Sequence, residues 1–168
     1  WARDDHYYQQ AAWRGTKALD GGTLLNQCIH NIDLLQWLLG GEVERLYSET
    51  DTFIRNIETE DFGAILIRFK NGAIGIVEGS VCVYPRNLEE SLSIFGEKGT
   101  VVIKNGHIET WLFEDKKDYY YEELDKINLG HTPLYQDVIA AIREDREPLV
   151  NGQEAKKAVE IILQAYEV

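Results

Sequence analysis

Alternation of apolar and polar residues fills the middle of the chain and limits what it can fold into. From residue 43 to residue 113 this period of two recurs in short runs, with turn residues between the runs. Alternation of this kind predicts β-strands, because successive side chains of a strand point to opposite faces. The predicted strands are 43–53, 64–69, 73–83, 91–95, 100–104 and 107–113, and residues 118–123 could form a last edge strand.

The turns between these runs indicate how the strands pair. Asn71-Gly72 and Asn105-Gly106 each join two consecutive apolar runs. Asn-Gly is the strongest short hairpin signal, because both turn positions favour a positive φ angle. Strands joined in this way are antiparallel neighbours. We therefore predict an open, mostly antiparallel sheet of about six strands.

Helical periodicity lies on both sides of the strand region. One helix is predicted over 23–39, where Gly40-Gly41 ends it, and two more begin at Thr132-Pro133 and at Asn151. The apolar stripes predicted for the last two helices are Leu134, Val138, Ala141 and Ile142, and Ala155, Val159, Ile162 and Tyr166. Helices kept apart from an antiparallel sheet indicate an α+β fold with helices on one face. We expect one domain over residues 1–168.

Charge and hydropathy exclude two classes of partner, nucleic acids and membranes. A net charge of −12 repels phosphate backbones, so we expect no nucleic-acid partner. No apolar run reaches the ~20 residues of a membrane helix.

The chain begins at Trp1 and contains no Met, which indicates an excised fragment or a processed chain. Cys28 and Cys82 match no metal-ligand spacing, and we expect two buried, reduced thiols in a cytoplasmic protein.

The first predicted helix carries a polar stripe. Asn26, His30 and Asp33 lie at i, i+4 and i+7, and Trp37 continues their line. The rest of the helix is apolar, so we expect it to be largely buried. Histidine titrates near neutral pH, so His30 could serve as a general base in a polar cavity. The alternative is a satisfied core network, with His30 bonded to Asp33 or to the backbone.

Two further segments mix aromatic and cationic side chains. The first contains Arg3, Tyr8, Trp13 and Arg14, and the second is the loop around Arg86. The mixture in the first segment suits a ligand that has a ring and a phosphate or carboxylate. The second segment is a loop, and loops held by a rigid sheet often carry function. The alternatives are an irregular segment pinned by aromatic residues and an ordinary turn. The chain has no GxGxxG motif and no βαβ alternation, so we predict no cofactor-binding residues in it.

Several of these segments together resemble a known family. The runs 13–16 (WRGT), 20–35 (DGGTLLNQCIHNIDLL), 133–137 (PLYQD) and 148–155 (PLVNGQEA) are similar to the C-terminal domain of the Gfo/Idh/MocA oxidoreductases. The resemblance implies that an N-terminal Rossmann domain, absent from this chain, binds NAD or NADP and contributes a Lys. It also implies that His30 is catalytic. Asn26 stands where the family usually has Asp.

The departure at Asn26, with WRGT and 84–89 (YPRNLE), resembles the UDP-N-acetylglucosaminuronate 3-dehydrogenase branch. That branch oxidises the C3 hydroxyl of the sugar in bacterial surface-polysaccharide synthesis. The resemblance implies that the intact protein is an NAD(P)-dependent oxidoreductase acting on CH–OH, and that this fragment alone is inactive. The substrate-binding residues it implies are Asn26, Arg14, Trp13, Arg3, Tyr8 and Arg86.

Two other functions stay open at this point. The first is a dehydrogenase of a simple sugar or an inositol, and the second is a non-enzymatic sugar-binding or assembly module. The predicted sheet also carries more apolar residues than one helix layer covers, so we expect a dimer or tetramer through the sheet face. The residues expected to exceed that layer are Ile65, Ile67, Phe69, Ile74 and Ile76.

Overall fold

The computed structural model describes residues 1–115 and 131–168. The described residues form two compact units, the first containing Trp1–Leu88 and Lys156–Val168 and the second containing Glu89–Ala155. The strand predicted at 118–123 lies outside the described residues. The single domain expected over 1–168 stays a prediction.

The first unit contains a three-stranded antiparallel sheet in the order β1-β2-β3. The strands are β1 (Val43–Asp51), β2 (Phe62–Phe69) and β3 (Ile74–Ser80). In the turn between β2 and β3 only Gly72 has a positive φ angle, of 92°. The Asn71-Gly72 hairpin is therefore real, but the prediction that both of its turn residues adopt positive φ is wrong.

The second unit contains another antiparallel sheet, in the order β4-β5-β6. Its strands are β4 (Ser91–Gly96), β5 (Gly99–Lys104) and β6 (His107–Phe113). Here Asn105 and Gly106 both have positive φ angles, of 49° and 79°, as the sequence predicts. The α+β class and the six antiparallel strands are confirmed, and the strands are divided between two sheets of three.

The division follows from the pairing that begins where β3 ends. Beyond Ser80 the chain pairs with its own first residues, since the Arg3 N–H donates to the Val81 carbonyl at 3.0 Å and the Val83 N–H to the Trp1 carbonyl at 3.3 Å. The predicted strand 73–83 is therefore shorter, and β4 starts a new sheet.

The helices begin with α1 (Asp5–Gln9), in a segment where the sequence shows no period. The predicted helix 23–39 has two parts, a π-helical turn over Leu24–Cys28 and then α2 (Ile29–Leu39). Gly40, with φ 64°, ends α2 by donating its N–H to the Gln36 carbonyl. The last two helices are α3 (Thr132–Glu144) and α4 (Gly152–Glu167). Among the described residues, no helix has the length and hydropathy needed to cross a membrane.

The core of the first unit lies on one face of the β1–β3 sheet. Ile65, Ile67 and Phe69 of β2 are almost completely buried, whereas Ile74 and Ile76 of β3 are 55% and 76% exposed. The sequence predicts that all five are apolar residues beyond those that one helix layer covers. This is wrong for the three β2 residues, because side chains of β2 alternate between the faces of the sheet and those three point toward the core.

The apolar stripes of the last two helices also differ from the sequence prediction. The buried residues of α4 are Ala158, Ile161, Ile162 and Ala165, whereas Ala155, Val159 and Tyr166 are at least partly exposed. The prediction is correct only for Ile162, because two overlapping stripes fit the 3.6-residue period. In α3 the one buried stripe residue within the described chain is Ala141.

A pair of glycines lets the π-helical turn approach the sheet. Gly63 of β2 lies directly opposite Gly79 of β3. A Cβ at Gly63 would lie 2.8 Å from the Leu24 side chain, and one at Gly79 would overlap Cys28 Sγ. Cys28 is buried as predicted, but Cys82 is only half-buried, and burial raises the pKa of its thiol.

Candidate functional site

The start of the polar-stripe helix is held by a buried carboxylate. The Thr23 N–H donates to the Glu60 carbonyl at 3.0 Å, and the Leu24 N–H donates to Glu60 Oε1 at 2.9 Å. Tyr166 of α4 donates its hydroxyl to the same oxygen at 2.8 Å. A helix start leaves several N–H groups unpaired, and Glu60 satisfies two of them. Gly22 is required beside it, because a Cβ there would overlap the Glu60 carboxylate.

Burial raises the pKa of Glu60, although the hydrogen bonds from the Leu24 N–H and the Tyr166 hydroxyl act to lower it. Burial also raises the pKa of Tyr166, and the adjacent Glu60 adds to this effect. Tyr166 therefore stays protonated and remains a donor to Glu60. The helix that carries the polar stripe is thus fixed to the loop before β2 and to α4.

The polar stripe itself faces outward from the first unit. Asn26 is half-buried, His30 and Asp33 are exposed, and Trp37 is 67% exposed. The expectation of a largely buried helix is therefore wrong on this side. Asp33 accepts from Gln36 Nε2 at 3.2 Å, and within the described residues no hydrogen bond holds the His30 imidazole. The alternative of a satisfied core network does not fit this placement.

Two arginines are stacked among aromatic rings near the start of the chain. Arg3 Cζ lies 5.1 Å from the Trp1 ring centroid and 4.9 Å from that of Tyr7. Arg14 Cζ lies 3.9 Å from the Tyr7 centroid and 5.4 Å from that of Trp13. A cation over an aromatic face contributes about 0.5–1 kcal/mol at exposed sites. The stacking therefore gives this irregular segment a defined structure.

The polar atoms of the two arginines are only partly satisfied. Arg3 donates to the Ala2 carbonyl at 3.1 Å and to Gln27 Oε1 at 3.0 Å, and Arg14 donates to the Tyr7 carbonyl at 3.3 Å. The Nε atoms of both arginines are buried and have no partner among the described residues. A buried donor without an acceptor is costly, so holding the two guanidinium groups in this arrangement carries an energetic cost.

Tyr8 and Arg14 line a shallow cavity of about 340 Å³. Burial, followed by the neighbouring Tyr7 and Asp20, raises the pKa of Tyr8 to about 12. The phenol therefore stays protonated and can donate a hydrogen bond. Trp13, 44% exposed, stacks against Arg14.

Arg86 lies in a second segment of the first unit. It is exposed in the loop that follows the cis Tyr84-Pro85 bond. The next residue, Asn87, accepts from the Ala2 N–H at 2.8 Å, so this loop is hydrogen-bonded to the segment that carries Arg3. The structure thus brings together Arg3, Tyr8, Trp13 and Arg14, and it ties the loop that carries Arg86 to the same segment through Asn87.

Asn26 is held by residues that sequence reasoning missed. Its Nδ2 donates to Asp20 Oδ1, and its Oδ1 accepts from Gln27 Nε2. Gln27 in turn accepts from Arg3, which links the polar stripe to the arginine cluster. The available signal was Asp20 directly before Gly21-Gly22, in the segment that leads into the helix. Glu60 gave no comparable signal, because its partners are distant in sequence.

Comparison with known proteins identifies the family. The family model described as GFO/IDH/MocA C-terminal domain matches residues 1–102. The chain belongs to this family. The resemblance found in the sequence is therefore confirmed at the level of the family.

Two relatives illustrate the range of this family. The WlbA dehydrogenase from Bordetella pertussis, solved in complex with NADH and UDP-GlcNAcA, is 37% identical with a TM-score of 0.89, over 99% of this chain and 51% of that one. The myo-inositol 2-dehydrogenase of Thermotoga maritima is 25% identical over 151 residues, which are 84% of this chain and 45% of the relative. The chain thus spans about half the length of these family members.

Proposed function

We propose that this chain is the substrate-binding half of an NAD(P)-dependent dehydrogenase that oxidises the C3 hydroxyl of a UDP-N-acetylhexosaminuronate. One observation carries the proposal. His30 is exposed on the same stripe as the fixed amide of Asn26, in a chain 37% identical to a dehydrogenase solved with NADH and UDP-GlcNAcA. In this proposal a Rossmann half binds the cofactor, and the chain alone is inactive.

His30 is the general base of the proposed reaction. Its imidazole takes the proton of the C3 hydroxyl as the carbonyl forms, which requires a side chain that titrates near neutral pH. NAD, when bound, supplies the hydride acceptor. Asn26 hydrogen-bonds the sugar with an amide, which adds no negative charge beside an anionic substrate.

Arg14 and Arg3 are proposed to receive the uronate carboxylate or the diphosphate. The net charge of −12 makes the overall field unfavourable for such a ligand, so local cations must hold it. Arg14 is stacked on Tyr7 and donates to the Tyr7 carbonyl at 3.3 Å, so it is oriented before the ligand arrives. Tyr8 adds a neutral donor and Trp13 an aromatic surface. Arg86 is assigned to the same ligand as an exposed outer contact.

The proposal is tested on the full-length protein that carries this chain. With UDP-N-acetylglucosaminuronate and NAD we expect NADH formation, and His30→Asn should lower kcat by about 10²–10⁴-fold, the usual contribution of a general base. His131→Asn is the matched control, since it removes an exposed histidine of the second unit. Absence of turnover by the wild type with this substrate, or full activity of His30→Asn, would contradict the proposal.

A second candidate is the oxidation of an inositol or a simple sugar. It is favoured by the 25% identity to a myo-inositol 2-dehydrogenase over 84% of this chain. Titration of the full-length protein with UDP alone separates the two candidates, because only a nucleotide-sugar enzyme needs a site for the nucleotide. Saturable UDP binding in the micromolar to millimolar range supports the first candidate, and its absence together with inositol turnover supports the second.

We further propose that the protein self-associates through the open face of the β1–β3 sheet. Tyr47, Leu66 and Ile76 lie directly opposite one another across the three strands, and 59%, 46% and 76% of their surfaces are exposed. A continuous apolar row of this kind on an antiparallel sheet favours a second copy of the same surface.

A further inference from the structure

We propose that Asp20 is a positioning residue. It accepts from Asn26 at the end of a directional hydrogen-bond relay, and this relay fixes which atoms of the Asn26 amide face the substrate. The relay runs Arg3, Gln27, Asn26, Asp20. Its direction is independent of the reaction, whereas its effect on substrate rests on the proposed function.

The direction is set by the two ends of the relay. An arginine guanidinium only donates hydrogen bonds, and an ionised aspartate only accepts them. Arg3 Nη2 donates to Gln27 at 3.0 Å at one end, and Asp20 receives Asn26 at the other. The two amides between them each have one donor end and one acceptor end.

These constraints leave one arrangement of the amides. Asp20 requires the Nδ2 side of Asn26, so Asn26 Oδ1 faces Gln27 and accepts from Gln27 Nε2. Gln27 Oε1 then faces Arg3, which only donates. Amide oxygen and nitrogen have nearly the same shape, so packing does not distinguish these orientations and the hydrogen-bond partners must.

Both ends of the relay are tied to the backbone. Asp20 Oδ2 accepts from the Gly15 N–H at 2.6 Å, and Arg3 Nη1 donates to the Ala2 carbonyl at 3.1 Å. Gly15 has a φ of 69°, and Ile57 occupies the space that a Cβ there would need. The Gly15 N–H and the Ala2 carbonyl therefore anchor the two ends of the relay.

The relay leaves part of the Asn26 amide for a ligand. One of the two Nδ2 hydrogens and one of the two Oδ1 lone pairs are not used by Asp20 or Gln27. A substrate group that meets Nδ2 must accept, and one that meets Oδ1 must donate. Asp20 thus determines the substrate pattern that Asn26 recognises without contacting the substrate.

The test reverses the Asn26 amide while it keeps the relay complete. In Asp20→Asn, the introduced NH₂ group faces another donor, either the Gly15 N–H or the Asn26 NH₂. Rotating the amides of Asn26 and Gln27 by 180° does not remove this clash, because the Gln27 NH₂ would then face the Arg3 guanidinium. In Gln27→Glu, the introduced carboxylate faces the Asn26 oxygen, which is also an acceptor. If the Asn26 amide rotates by 180°, its oxygen faces the Asp20 carboxylate instead.

The double variant D20N/Q27E satisfies every contact again. The introduced amide accepts from the Gly15 N–H and donates to Asn26, and the introduced carboxylate accepts from both Asn26 and Arg3. This variant retains the net charge, but the oxygen and nitrogen of Asn26 have exchanged places.

The variants are made in the full-length protein and compared by Tm and by kcat/KM with UDP-N-acetylglucosaminuronate. We expect each single variant to lower Tm by about 2–6 °C and the double variant to return within about 2 °C of the wild type. The kcat/KM of the double variant should nevertheless stay at least about 30-fold below wild type, because a mismatched polar contact is rejected strongly.

Three results would overturn the proposal. Wild-type Tm in both single variants means that no directional relay exists, and a double variant less stable than both singles means that its direction is wrong. Recovery of wild-type kcat/KM in the double variant means that the relay is only structural. If the wild type itself does not turn over this substrate, the proposed function and the role of Asn26 toward that substrate fail, whereas the Tm values still decide the direction of the relay.

Discussion

Two adjacent carboxylates, Glu60 and Asp61, have opposite ionisation behaviour because their partners differ. Burial dominates at Glu60 and raises its pKa. At Asp61 burial acts in the same direction, but backbone N–H groups of Phe53, Arg55 and Ile54 outweigh it and lower the pKa. These three donors lie 2.7–2.9 Å from the Asp61 oxygens. Asp61 thus holds the loop after β1, while Glu60 holds the helix start.

Replacement of Asp61 tests this arrangement. In the wild type, two carboxylate oxygens of Asp61 accept from three backbone N–H groups. Asp61→Asn leaves one acceptor oxygen, and its NH₂ group faces a backbone N–H donor. We expect a loss of about 2–4 kcal/mol in the free energy of unfolding at pH 7, measured by urea denaturation. A lowered folded-state pKa gives stability that is present above the ordinary value of 3.8 and is lost as pH falls through the folded pKa. The difference between variant and wild type should therefore shrink below about pH 4, and a difference that stays constant from pH 7 to pH 3 would contradict the assignment.

Sequence reasoning identified the candidate site residues that carry periodicity or composition, and it missed those that act through distant contacts. Asn26 and His30 were identifiable because polar residues at helical spacing interrupt an apolar helix. Glu60 was not, because Leu24 lies 36 positions away from it and Tyr166 lies 106 positions away. No local pattern encodes such pairs.

At the scale of elements, the close contact between helix and sheet depends on the glycine pair. Gly63 and Gly79 remove two side chains at the point where the π-helical turn crosses β2 and β3. The sequence predicts a helix over 23–39 but not its π-helical start, because the start depends on Glu60 and on these two glycines. The same limit explains α4, where the sequence indicates the period and tertiary contact selects the stripe.

The glycine pair is tested by a double-mutant cycle. Gly79→Ala places a Cβ on Cys28 Sγ, and we expect overpacking to lower the free energy of unfolding by about 1–3 kcal/mol. In a Cys28→Ala background the same change should cost less than half as much, because the opposing sulfur is gone. Gly152→Ala is the matched control, since nothing lies within 4 Å of its Cβ position, and it should be neutral or slightly stabilising. Equal costs of Gly79→Ala in both backgrounds would contradict the contact.

At the scale of the whole molecule, the division into two sheets was the main feature that the sequence did not predict. Alternation identifies strands and Asn-Gly pairs identify hairpins, but neither shows which strands share an edge. The first residues of the chain pair with Val81 and Val83, over a sequence separation of about 80 residues, and this pairing decides where the first sheet ends. The sequence correctly predicts that Ile74 and Ile76 lie on the open face of this sheet. It is wrong for Ile65, Ile67 and Phe69, which are buried.

Self-association through that face gives a prediction for the intact protein. Ile76→Lys places a charge at one end of the exposed row Tyr47–Leu66–Ile76, and desolvating an unpaired charge is costly. We expect light scattering at tens of micromolar to give a dimer or tetramer for the wild type and a smaller species for Ile76→Lys. Ile54→Lys is the matched control, because Ile54 is 64% exposed and lies outside the sheet. A monomeric wild type, or an assembly unchanged by Ile76→Lys, would show that this face is not the interface.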